Sequence, residues 1–108
     1  MKEHRVLSRQ QELAAEDELF SALLELQSVA EFRSFFQDLC TPAELQAMKD
    51  RWSVVELLEQ GMTYRAIHDA TGVSVTTIGR VARCLMDGAG GYRKVLGRVL
   101  NKQKVKPK

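Results

Sequence analysis

Residues 63 to 86 constrain the fold more than any other stretch of this chain. Thr63 can cap a helix of about two turns, Tyr64 to Ala70, because a threonine oxygen accepts from the N–H groups a first turn leaves unpaired. Thr71-Gly72-Val73 reads as a tight turn, with Gly72 free to take positive φ. Ser74 then caps a second helix, Val75 to about Met86. Two short helices joined by a glycine-bearing turn have the helix-turn-helix form.

The spacing tests that reading. At about 100° per residue, Val75, Ile78, Ala82 and Leu85 share one face of the second helix. Thr76, Arg80 and Arg83 share the opposite face, with Thr77 and Cys84 beside them. Ile67, Val73 and Ile78 fall where apolar contacts between the two helices belong. On the first helix, Arg65, His68 and Asp69 point away from Ile67 and Ala70. Solvent, or a groove, is left with small hydroxyls and arginines. Those side chains suit the DNA major groove: Ser74, Thr76 and Thr77 allow close approach, and arginine can fork onto guanine or phosphate. The N–H groups of Val75 to Thr77 also suit a phosphate oxygen. His68 departs from the usual pattern, which has a small alanine four positions before the glycine.

The rest of the chain reads as helix. Leu13, Phe20, Leu23 and Leu24, joined by Leu19 and Leu26, make residues 9 to 27 a long helix with apolar side chains on two sides. Ser28-Val29-Ala30-Glu31 has the form of a capping box and opens a short helix through about Leu39, with Phe32, Phe35 and Phe36 inward. Thr41-Pro42-Ala43-Glu44 starts another, with Leu45, Met48, Trp52, Val55 and Leu58 on one stripe and Gly61 as its stop. Residues 87 to 91 form a flexible connector. Tyr92 to Leu100 is a last amphipathic helix before a frayed basic tail, residues 101 to 108. No alternating β-branched run competes, so the fold class is all-α: about six helices in a single domain of 108 residues.

Charge is informative by position. The whole chain carries only +2, but residues 1 to 61 carry −6 and residues 62 to 108 carry +8. Arg93, Lys94, Arg98, Lys102, Lys104, Lys106 and Lys108 follow the last acid, Asp87. A basic half on an acidic half suggests a face for polyanions, since each phosphate contacted releases condensed counterions. A lysine-rich terminus by itself also serves solubility.

Other classes find little support. The longest stretch without charge, Ala70 to Gly79, is ten residues, half of what a membrane span needs. The N-terminus mixes acid and base with no apolar run behind it, unlike a secretory signal. Cys40 and Cys84 lie 44 residues apart with no CxxC, which fits a reducing cytoplasm. With His4 and His68 the only histidines, no metal set is expected. No glycine-rich phosphate loop, GxSxG or HExxH is present, and His68 with Asp69 cannot point together as helix neighbours, so no enzyme is expected.

Thr41-Pro42 through Arg51, followed by the 63–86 motif, resembles the Trp repressor family over roughly residues 10 to 100. Within it the chain is similar to the YerC/YecD subgroup in Thr71-Gly72-Val73-Ser74, Ile78-Gly79-Arg80-Val81, Arg83-Cys84-Leu85 and Gly90-Gly91-Tyr92. The resemblance implies a bacterial, cytoplasmic regulator of transcription, an all-α homodimer with interlocked N-terminal helices (residues 9 to 60) and a helix-turn-helix head on each side. It implies duplex DNA as partner, with contacts from Arg65, His68, Thr76, Thr77, Arg80 and Arg83. In the tryptophan-sensing repressors an indole sits between two arginines, whose positions match Arg51 and Arg80, and a threonine matches Thr41. Val81 stands where those repressors have glycine, and Cys84 where they have serine. A valine there adds carbon where an indole needs room, which argues against L-tryptophan as effector. Another small effector is left open, and no cofactor is implied.

Sequence leaves two rivals. The basic head could dock on the transcription machinery without reading DNA, making a dimeric protein-interaction module. A sigma-factor or transposase fragment could use the same motif, although the acidic front half favours a free-standing dimer.

Overall fold

The structure, a computed structural model, describes residues 6–105. They form α1 (Arg9–Leu23), α2 (Val29–Leu39), α3 (Pro42–Glu59), α4 (Tyr64–Thr71), α5 (Val75–Asp87) and α6 (Gly91–Val105), with no strand among the described residues. The chain divides into two compact units, one ending at Thr41 and the other starting at Pro42.

The first unit holds α1 and α2. Ser8 and Gln11 cap α1 reciprocally: the Ser8 hydroxyl accepts the Gln11 N–H at 3.1 Å, and the Gln11 amide oxygen accepts the Ser8 N–H at 2.9 Å. The helix closes at Leu23, earlier than the expected residue 27. The N–H groups of Glu25 and Leu26 turn back three residues, to Ala22 and Leu23. The chain has to leave the helix here because Ser28, the cap of α2, is extended at φ −153° and ψ 161°. Its hydroxyl accepts the Glu31 N–H at 3.1 Å, while the Glu31 carboxylate accepts from Gln27 at 2.8 Å, one residue before the position a regular capping box uses.

Neither helix of this unit buries a residue. Leu19, Phe20 and Leu24 are exposed, so burial on two sides is not achieved within this unit, and Phe32 is exposed rather than inward. Phe35 and Phe36 are half-buried, with Phe36 stacked on Phe32 at 6.2 Å and edge-on to Phe35 at 6.1 Å.

The second unit holds the core. Val54 and Val55 of α3, Ile67 of α4, Val73 of the turn, Ile78, Val81 and Leu85 of α5, and Leu96 of α6 pack together, flanked by Trp52, Leu57, Leu58, Met62 and Tyr92. Val54 lies outside the single stripe read on α3. It is buried because α4, α5 and α6 all pack on that helix and widen the arc it must present. Met48, on the expected stripe, is exposed. Gly61, at φ 84°, ends the helix as expected. The N–H of Met62 reaches the Leu57 carbonyl and that of Gly61 the Leu58 carbonyl, the two bonds of a Schellman motif.

The last helix is longer than the sequence suggested. Residues 101–105 continue α6 instead of fraying, since neither glycine nor proline occurs between Gly97 and Pro107. The connector shrinks to residues 88–90. The remainder of the expected basic tail, residues 106–108, lies outside the described residues.

Candidate nucleic-acid interface

Three local bonds shape α4, the turn and α5. The Thr63 hydroxyl accepts the Ala66 N–H at 3.1 Å and starts α4, which runs one residue past the expected end to Thr71. Gly72 follows at φ 78° and returns its N–H to the His68 carbonyl. The Ser74 hydroxyl accepts the Thr77 N–H at 3.2 Å and starts α5. Ile67, Val73 and Ile78 are buried where the spacing placed them.

Val73 sits between the helices, where neither backbone ladder can serve it. Side chains of α4 do so instead. Its N–H donates to the Thr71 hydroxyl at 3.0 Å, and that hydroxyl donates to the Ile67 carbonyl at 2.7 Å. Its carbonyl accepts from Nδ1 of His68 at 2.8 Å. A carbonyl oxygen only accepts, so Nδ1 carries the proton and neutral His68 has a bare Nε2. This accounts for a histidine where such motifs usually have alanine: the ring fastens the turn from outside.

The outward face of α5 is as the sequence placed it, with one exception, while on α4 Ala70, expected inward with Ile67, is exposed. Thr76, Arg80 and Arg83 are exposed, and Ile78, Ala82 and Leu85 are buried. Val75, expected inward, is half exposed because the first residue of α5 projects past the end of α4's packing surface. The hydroxyls differ in availability. Ser74 donates to the Thr77 oxygen at 3.0 Å while capping the helix, and Thr77 is half-buried, leaving Thr76 as the outward hydroxyl. Among the described residues, the N–H groups of Val75 and Thr76 have no partner inside the chain, as at the start of any helix. On α4 the Arg65 side chain is 87% exposed and lies 4.0 Å from the Asp69 carboxylate, an ion pair too solvated to hold it.

The residues matched to an effector pocket are scattered in character. Arg51 is exposed on α3 and forms no ion pair among the described residues, so the surface pairing open to it on that helix is not made. Thr41 is exposed and closes the first unit. Val81 is 1% exposed and belongs to the core. Cys84 is half-buried between two open grooves. One, of about 400 Å³, is lined by Arg80, Arg83, Met86, Asp87 and Gly88 as well as the cysteine. The other, of about 530 Å³, is apolar and runs along Trp52, the glycine connector, Tyr92 and Val95. The Trp52 and Tyr92 rings lie 6.3 Å apart. Sequence reading missed this aromatic pair, because 40 residues separate its members and no local pattern links them.

Among the described residues there is no cluster of His, Cys, Asp and Glu able to hold a metal ion, and no helix is long and apolar enough to cross a membrane.

Six helices with a glycine-turned pair at this place in the chain define a TrpR-like fold, and solved structures agree. A TrpR-like protein from Eubacterium eligens superposes with a TM-score of 0.76 at 38% identity, covering 80% of this chain and 89% of that one. A proposed Trp repressor from Staphylococcus aureus gives 0.77 at 40% identity, covering 86% and 95%. The family profile described as Trp repressor protein matches residues 14–100, and YerC of Bacillus subtilis is 43% identical over 83 residues, 77% of this chain and 80% of its own. The chain belongs to the Trp repressor family.

Proposed function

We propose that this protein is a homodimeric, sequence-specific DNA-binding regulator of transcription, acting in the cytoplasm as a repressor through α4 and α5. One observation carries the reading: α5 seals Ile78, Val81, Ala82 and Leu85 against the body while Thr76, Arg80 and Arg83 face out. A helix held by its aliphatic side and bare on its guanidinium side is built to enter a major groove. Arg65, His68, Ser74 and Thr77 flank it on the same head. The exposed leucines and phenylalanines of α1 and α2 support the dimer, because a large apolar surface left uncovered within its own unit marks an association site.

L-tryptophan is not its effector in this reading. Thr41, Arg51 and Arg80 match the sensing repressors, but the Val81 side chain occupies close-packed volume that those repressors leave open. Arg51 and Arg80 then serve phosphate contact.

Selection of bound duplexes from a random pool, with and without amino acids, tests this. A palindromic pair of half-sites about one helical turn apart is expected. Salt-dependent binding with no preferred sequence would instead mean a basic head that docks elsewhere.

A further inference from the structure

Duplex DNA offers His68 two kinds of hydrogen-bonding partner. Phosphate oxygens only accept; the amino groups of adenine and cytosine donate. Because the Val73 carbonyl holds the proton on Nδ1, neutral His68 presents an acceptor at Nε2 and cannot bond a phosphate. The first helix of a helix-turn-helix crosses the backbone. From these two facts, and resting on the DNA-binding reading above, we infer that His68 is a phosphate ligand that works only as imidazolium: each head takes up one proton from solvent onto Nε2 when it closes on DNA. The new Nε2–H then donates to a phosphate oxygen, while Nδ1–H keeps its bond to Val73.

Among the described residues the ring of His68 has one hydrogen-bond partner, the Val73 carbonyl, and no ion pair. On α4 the charged neighbours, Arg65 and Asp69, face each other. Of the helices packed on α4, α5 carries Arg80, Arg83 and Asp87, and the charged side chains of α3 are Glu44, Lys49, Asp50, Arg51, Glu56 and Glu59; none of them is bonded to the ring. The sign of the linkage follows. The complex holds one more proton per head than a free head with neutral His68, so affinity rises as pH falls, by up to about tenfold per head for each pH unit.

Two measurements decide it. In the free protein, the imidazole ¹⁵N shifts should show neutral His68 protonated at Nδ1; the Nε2–H form would overturn the inference whatever the protein binds. Anisotropy with a mixed-sequence duplex of about 30 base pairs, at fixed ionic strength and roughly pH 6 and 8, should show tighter binding at pH 6. His68→Asn keeps a donor in reach of Val73 and removes Nε2, so it should stay folded and lose most of that pH dependence. His68→Lys should bind at both pH values. Wild type and His68→Asn sharing one pH dependence overturns the inference, and so does a wild-type affinity that rises with pH, which marks a base amino group as the partner. No binding at either pH would defeat the DNA-binding reading along with it.

Discussion

The Arg93 guanidinium lies 3.0 Å from the Glu59 carboxylate, tying the first turn of α6 to the last turn of α3 across 34 residues of sequence. Both side chains remain about half exposed, at 55% and 41%. Exposed pairs contribute little, so a double-mutant cycle with Arg93→Ala and Glu59→Ala should give a coupling of about 0.5 kcal/mol. Chemical denaturation in low and high salt checks it, and the coupling should shrink as salt screens the pair.

Gly88 and Gly79 should respond oppositely to alanine. A Cβ on Gly88 would overlap the Cys84 carbonyl oxygen and come within 3.0 Å of its Cα, both backbone atoms that cannot yield. A Cβ on Gly79 would meet the Tyr64 ring at 3.9 Å, an ordinary contact. Thermal unfolding should therefore show Gly88→Ala destabilised by about 1–3 kcal/mol and Gly79→Ala stabilised by about 0.5–1 kcal/mol, the helix propensity difference. Equal and small effects at both positions would mean the end of α5 is looser than the structure shows.

Arg65 stands near the start of α4, nearly free of the protein, and is the side chain of that helix long enough to reach past the backbone to a base edge. Arg65→Ala should cost about 1–3 kcal/mol on the selected site and relax preference at one base pair. Equal loss on every sequence would make it a phosphate clamp. Asp69→Asn, by contrast, should leave folding stability unchanged within about 0.5 kcal/mol.

Val81 is expected to matter for folding and not for sensing. Val81→Ala should lower stability by about 2 kcal/mol, through lost burial and a small cavity between α5 and α3. Calorimetry of the wild-type protein with tryptophan should show no stoichiometric micromolar binding.

Helix starts were legible because capping is local chemistry. Ser28, Pro42, Thr63 and Ser74 each open a helix where the sequence placed it, and Gly61 and Gly72 take the left-handed conformation expected of them. Non-local facts were not legible. The burial of Val54 depends on three helices packing on α3, and the exposure of Val75 on where α4 ends. The ring of His68 was assigned a face by periodicity, yet its bond to Val73 depends on how sharply the turn folds back, which composition does not encode. The apolar side chains of α1 were read as buried because they are apolar. Exposure of Phe20 at 53% and Leu24 at 83% shows that pattern reports what a helix must cover, without saying that its own unit does the covering.

A valine sealed at position 81 has a consequence for control. Where a regulator's head is propped in place by a metabolite, occupancy of its operator follows the metabolite's concentration. In the function proposed above the wedge is part of the polypeptide, and the head is set from the moment the chain folds. Such a protein would act as a fixed-gain device, whose output in the cell follows how many copies are made and how quickly they are removed.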